Sequence, residues 1–376
     1  MHDPDSRLHL DMSKRSTTSR YYGWGIFLVA IAIIAVVLAL YLAGGFPGTQ
    51  AVSTQVISTG SAPSSPVGAL AATSPVSPIS PVPTTLTSSS PASTTLESMV
   101  ERGSLLYQSG NYAGALETLN RVVAADPNNA MAYDLRGTVY IALNDYERAL
   151  SDYDKAVQLN PSFAPAHYNR GRVYSLLKRY DEALADLQQS IKLDADNFGY
   201  RANGNMGLIY YQQGKYDKAL DAFAASIAYD SSKADVFYLR GETYTALGKY
   251  EAAVTDYQSA VSRLSRYDLA YQSLGYAYYK MAQYDKAVEA LNQAVSLSPT
   301  SAVAHLYLAL VYIATDKLDS STAEISRAAT TFSALPLDDQ KFIYNRVAAD
   351  LKTWGEQNPG KAKEVESIIA RLPKPQ

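Results

Sequence analysis

The sequence predicts an all-α fold: a solenoid of short helix–turn–helix units, preceded by one transmembrane helix and a disordered Ser/Thr/Pro-rich stalk. Three observations carry that reading. Residues 21–45 form a charge-free apolar run. Residues 46–95 carry no charge and are dense in Ser, Thr and Pro. From Gly103 onward, one skeleton of small and aromatic residues recurs about every 34 positions.

The N-terminal elements come first. Residues 1–20 read as a polar tail ending in Lys14, Arg15 and Arg20. The run YYGWGIFLVAIAIIAVVLALYLA at 21–43 follows. About 22 apolar residues at a rise of 1.5 Å span roughly 33 Å, enough for a bilayer core. Tyr21, Tyr22 and Trp24 sit at one edge and Tyr41 at the other, where amphipathic rings favour the interface. A cleaved signal peptide is the alternative, but its apolar core is commonly about 7–15 residues. Cations precede the run, and none follows until Arg102. The positive-inside rule therefore puts the N-terminus in the cytoplasm and everything after the span outside it. The expected product is a single-pass membrane protein in contact with the lipid bilayer through 21–43.

Residues 44–95 read as the stalk. Proline at turn-length intervals removes donors and blocks helix and sheet ladders. A flexible chain of about 50 residues has an end-to-end distance of roughly 40 Å, more where proline stiffens it.

The repeats begin near residue 96. The glycine recurs at 103, 137, 171, 207, 241 and 275, in steps of 34, 34, 36, 34 and 34. A tyrosine keeps pace at 112, 146, 180, 216, 250 and 284, and an alanine follows it by three. Each unit reads as two antiparallel helices whose backbones approach where Gly and Ala are small. Large side chains fill the adjoining space: Tyr140, Tyr174, Tyr210, Tyr244, Tyr278 and Tyr312 on first helices, Tyr153, Phe223 and Tyr257 on second ones. That stripe accounts for much of the excess of 30 Tyr over 8 Phe and 2 Trp. Pro127, Pro161 and Pro299 are placed to close second helices.

This 34-residue pattern resembles the tetratricopeptide repeat (TPR) family over residues 96–335, as six clear units and one degenerate. The resemblance implies a right-handed α-solenoid. The 36-residue step inserts two residues near Phe198–Gly199, which predicts a longer loop or a local disturbance between units three and four. The seventh unit has Ala309 for Gly and Ser321 for Ala. Residues 336–376 predict two capping helices over the open end, one with Ile343, Val347, Leu351 and Trp354 on a single face, the other with Val365, Ile368, Ile369 and Leu372.

Composition excludes several chemistries. There is no cysteine, so thiolate catalysis and Cys-ligated metal are absent. A net charge of −3 argues against nucleic acid as a partner. No nucleophile, phosphate-loop or zinc-helix motif occurs, so neither an enzyme nor a cofactor or small-molecule substrate is expected. Asp181, Glu182 and Asp217 read as a solvated face, and His167 and His305 as packing residues.

The TPR resemblance implies a protein or peptide ligand in a concave groove lined by first helices. The family's groove positions, carried over by register, fall at Tyr168, Asn169 and Arg172 in the third unit. They continue at Arg201, Asn205, Leu208 and Tyr211, then Tyr238 and Glu242, then Gln272, Tyr276 and Tyr279. Asn169, Arg172, Arg201 and Asn205 echo the family's carboxylate clamp without its lysines. The functional expectation is a non-catalytic membrane-anchored scaffold. The alternative is an envelope recruitment factor that holds a cell-wall component or a secreted enzyme near the membrane.

Overall fold

The computed structural model of the chain describes residues 91–375. The expected tail, the span at 21–43 and the stalk up to residue 90 lie outside the described residues. Among the described residues no helix is long and apolar enough to cross a membrane. Residues 91–95, assigned above to the stalk, belong to the first helix, which starts at Pro91. Proline is tolerated there, since the first N–H of a helix has no intrahelical acceptor to lose.

Fourteen helices pair into seven units. Units one to three are α1 (Pro91–Gln108) with α2 (Tyr112–Ala125), α3 (Ala130–Ala142) with α4 (Tyr146–Leu159), and α5 (Ala164–Leu176) with α6 (Tyr180–Leu193). Units four and five are α7 (Ala195–Gln212) with α8 (Tyr216–Tyr229), and α9 (Ala234–Ala246) with α10 (Tyr250–Arg263). Units six and seven are α11 (Asp268–Lys280) with α12 (Tyr284–Leu297), and α13 (Ala302–Ala314) with α14 (Leu318–Phe332). Two more helices, α15 (Leu337–Gln357) and α16 (Ala362–Arg371), follow. Within the seven units each helix packs on its chain neighbours, and each first helix also packs on the next first helix.

Within a unit the chain reverses through one recurrent turn. Its second-last residue has φ between 56° and 77° at Gly110, Asn144, Lys178, Gly214, Gly248, Ala282 and Asp316. That conformation lets the next N–H reach back five residues. Asp145, Arg179, Lys215, Lys249, Gln283 and Lys317 donate to the carbonyls of Tyr140, Tyr174, Tyr210, Tyr244, Tyr278 and Tyr312 at 2.8–2.9 Å. The bonds satisfy carbonyls that the helix end would orphan. Glycine fills the left-handed position in three turns, and the other four side chains accept a cost of roughly 1–2 kcal/mol each.

The close approach inside each unit has a specific form: a side chain of the second helix lies flat on the glycine of the first. A Cβ built at Gly137 would sit 2.9 Å from Tyr153 Cε1, one at Gly207 2.5 Å from Phe223 Cε1, and one at Gly241 2.7 Å from Tyr257 Cε1. Tyr153, Phe223 and Tyr257 are accordingly among the most buried side chains. In the degenerate seventh unit, Ala309 and Ser321 are also buried, so the exchange of small residues keeps the pair closed.

Two expectations change. The two extra residues of the long step do not lengthen a loop. They extend α7, which has 18 residues where α3, α5 and α9 have 13 each. Asp194 alone separates α6 from α7, and it serves both helices: its N–H bonds to Ser190 and its carboxylate accepts from the N–H of Asn197. Gly199, on the added turn, leaves room for the Tyr229 ring, 2.5 Å from where a Cβ would stand.

The second change concerns the C-terminal helices. Ile343, Val347 and Leu351 are buried as expected, and α16 packs on α15 through Val365 and Ile368. However, α15 does not simply stack on the end of the solenoid. It packs on α13 rather than α14, and its polar side chains reach α11.

Gly241→Leu tests the packing rule. The added side chain must displace the Tyr257 ring, and overpacking costs about 1–3 kcal/mol or more. A urea unfolding curve should shift to a clearly lower midpoint, with damage centred on units four to six because each unit leans on its neighbours. Melting like that of the wild type would mean that the glycine is not at the contact.

Candidate partner-binding groove

The first helices α3, α5, α7, α9, α11 and α13 form one continuous row, and the groove candidates lie on it. Burial divides them. Tyr168, Arg172, Asn205, Tyr211 and Tyr279 are partly accessible, and Arg201 is exposed. Asn169, Leu208, Tyr238, Glu242, Gln272 and Tyr276 are buried.

The buried set is engaged within the solenoid. Asn169 Nδ2 donates to Asp134 Oδ1 of the preceding unit at 3.0 Å, which removes it from any carboxylate clamp. Tyr238 has no exposed surface and packs between Tyr257 and Tyr267. Glu242 accepts from the Tyr257 hydroxyl at 2.6 Å. Gln272 accepts from Ser301 of the next unit at 3.0 Å. The same or the neighbouring unit thus consumes these polar side chains, so register places a residue on a first helix without leaving it free for a ligand.

The accessible set converges at units three and four. Arg172 lies 5.8 Å over the Tyr168 ring. Asn205 donates to the Tyr168 hydroxyl at 3.2 Å and to the Arg201 carbonyl at 2.8 Å. The Tyr168 ring also packs on Phe198, at 5.2 Å between centroids. Among the described residues neither Arg172 nor Arg201 forms an ion pair, unlike the arginines on another side of these helices. Arg136, Arg170 and Arg240 are each forked onto an aspartate sixteen residues later, Asp152, Asp186 and Asp256, at 2.7–2.9 Å.

That ladder was missed in the sequence, although a signal was present. In units two, three and five the residue before the conserved glycine is Arg and the residue sixteen positions on is Asp, whereas in unit one Arg102 has Thr118 at that place. In units four and six the same two positions are Met206 with Ala222 and Leu274 with Ala290. The pairing is visible only when units are compared with one another. Asp181, Glu182 and Asp217 are exposed as expected. His167 and His305 are buried, each between a carboxylate (Asp186 or Glu324) and the carbonyl of Pro161 or Pro299.

The far end of the row is closed by α15. Asp350 accepts from the Tyr276 hydroxyl at 3.0 Å and from Lys280 Nζ at 2.6 Å. Arg346 donates to the Tyr307 hydroxyl at 3.0 Å and lies 4.9 Å over the Tyr276 ring. Burial, with the Glu242 charge behind it, pushes the Tyr211 hydroxyl well above its usual pKa; burial with Tyr307 and Asp350 does the same to Tyr276. These phenols therefore act as neutral hydrogen-bonding groups.

Two open cavities, about 410 and 490 Å³, lie beside His305 and beside Arg136, and none of the groove candidates lines them. Among the described residues no three His, Asp or Glu side chains converge as a metal site.

A row of paired helices that presents one accessible face is the architecture of a helical-repeat binding scaffold. Family models described as TPR repeat match residues 137–178 and 275–315. Models described as tetratricopeptide repeat match 100–140 with 205–268, and 162–232. Together they cover more than half of the chain, which belongs to the tetratricopeptide repeat family. Similar solved structures include pilF of Pseudomonas aeruginosa, 20% identical over 58% of this chain and 98% of that one, with a TM-score of 0.53. Another is the C-terminal part of a TPR repeat-containing protein from Cytophaga hutchinsonii, 17% identical over 61% of this chain and 94% of that one, TM-score 0.51. The Cut9–Hcn1 hetero-tetramer of the APC/C is 21% identical over 67% of this chain and 48% of that one, TM-score 0.50. At these identities the likeness shows the fold. A comparison with curated proteins finds no match.

Asp134 behind the open part of the groove makes a pH prediction. It is fully buried, and its Oδ2 has no hydrogen-bond partner. Burial pushes its pKa from 3.8 up to about 7, against the opposing pull of the Asn169 hydrogen bond. The folded protein therefore keeps a proton that the unfolded chain releases above about pH 4. Stability from this group is greatest below that value, falls as pH rises, and levels off above about 7. Asp134→Asn should flatten the curve over this window and raise stability at pH 8 by about 1–3 kcal/mol. Unfolding free energies with the same slope in both proteins would contradict the assignment.

Proposed function

We propose that this protein is a non-catalytic, membrane-anchored scaffold that presents its TPR groove outside the cytoplasm and there binds an extended peptide or a partner helix with acidic groups. TPR proteins bind protein or peptide partners, and the accessible residues of this groove suit that role. The carrying observation is that Arg172 and Arg201 have no carboxylate partner among the described residues, on a chain whose net charge is negative. Unpaired guanidinium groups beside an accessible tyrosine offer planar donors and an apolar surface to an acidic segment. The anchor and its orientation rest on the sequence of 1–45. The alternative, recruitment of a cell-wall component or secreted enzyme, draws on the uncharged Ser/Thr/Pro stalk.

Arg172→Ala with Arg201→Ala tests the groove. A partner recovered with the full chain from an envelope extract would be titrated against both proteins at two salt concentrations, after circular dichroism confirms unchanged helicity. Each charge-assisted bond contributes about 1.5–3 kcal/mol, so the double variant should bind at least about tenfold more weakly and with a shallower salt dependence. Equal affinity and equal salt slope would remove these arginines from the site. Sedimentation of the chain with purified cell wall, without a protein partner, would favour the alternative.

The topology has its own test. Protease added to intact cells, or to spheroplasts where an outer membrane intervenes, should cut between the span and Pro91 and release the repeat domain. A repeat domain protected until lysis would contradict the orientation.

A further inference from the structure

At the far end of the first-helix row, α15 covers the polar and aromatic side chains of α11 and α13. Tyr276 and Tyr307 flank a place for a cation, which Arg346 occupies. One helical turn away, the Tyr276 hydroxyl and Lys280 offer two donors, which Asp350 occupies. Arg346 and Asp350 are four residues apart, so they share one face of α15, beside the apolar row Ile343, Val347 and Leu351. The row of first helices is thus complementary to a helix bearing Arg and Asp one turn apart along an apolar stripe.

We infer that this end of the groove is a docking site for such a helix from a partner protein, and that α15 is its built-in competitor. The four-residue connection 333–336 tethers α15 to α14. A tethered ligand faces its site at an effective concentration in the millimolar range, which screens out weak binders. Displacement is an exchange, because an incoming helix of the same pattern re-covers the apolar surface that α15 leaves. The site is distinct from the one at Arg172 and Arg201, so it stands or falls separately from the function proposed above.

The test uses the full chain and a labelled synthetic peptide of residues 337–357 as the probe helix. The wild type should bind it weakly, because the tethered copy already fills the site. Arg346→Ala with Asp350→Ala weakens the tethered copy alone, and should tighten peptide binding at least tenfold while the chain remains monomeric. Adding Lys280→Ala and Tyr307→Phe to that variant should abolish the gain, since these remove the partners of the peptide's own Asp and Arg. Failure of the double variant to gain affinity would overturn the inference. So would a dimer formed by exchange of α15, which would make a second copy the occupant. Should the double variant not fold, Asp350→Asn with hydrogen exchange decides: the amides of 343–351 should exchange faster while those of α9 stay protected. Unchanged protection of α15 would make it a permanent part of the fold.

Discussion

The contact on which the rest of the structure depends is a side chain of the second helix seated on the bare backbone of a glycine in the first. It sets the separation of the two helices in each unit, and the separation sets how the next unit stacks. Gly137 under Tyr153, Gly207 under Phe223 and Gly241 under Tyr257 are the same joint with different rings. Phe223 seats by shape alone, whereas the Tyr153 hydroxyl also pairs with Thr138 and the Tyr257 hydroxyl donates to Glu242; other polar side chains of the first helices do other work. Three of them, Arg136, Arg170 and Arg240, brace the outside of the pair against an aspartate. Breaking one of these half-buried pairs would strand a carboxylate, which is why both partners occur together or not at all in units two to six.

The same economy explains the division of the groove. A side chain on a first helix meets the next unit, the previous unit or water. Asn169, Gln272 and Glu242 are committed to protein partners. Arg172 and Arg201 are not, and they sit where Tyr168 and Asn205 link α5 to α7 across the inserted turn. The insertion that lengthens α7 therefore also shapes the accessible part of the groove: Phe198, on the extra turn, backs the Tyr168 ring.

The period of Gly, Tyr and Ala was legible because it records a local joint repeated within 20 residues. The turns were legible for the same reason. The direction of the two-residue insertion was not: extra residues read equally well as loop or as helix, and the capping of α7 by Asp194 decided it. Groove register placed Tyr238 and Tyr276 on the right helices, but burial depends on what crosses above them. The bonds from Tyr276 and Lys280 to Asp350 span 74 and 70 positions, beyond any periodic pattern. The apolar face of α15 was visible, whereas the Arg and Asp beside it had no repeat to be compared with.

Under the proposed function an outside ligand enters the groove at units three and four, while α15 holds units six and seven. A photo-crosslinking amino acid placed at Tyr168 or at Tyr279 in the full chain tests it directly, with the partner recovered from an envelope extract. A crosslinked adduct is expected from position 168 and none from position 279 while α15 is intact. An adduct from 279 alone would contradict it, because the occupied end of the groove would then be the one that binds.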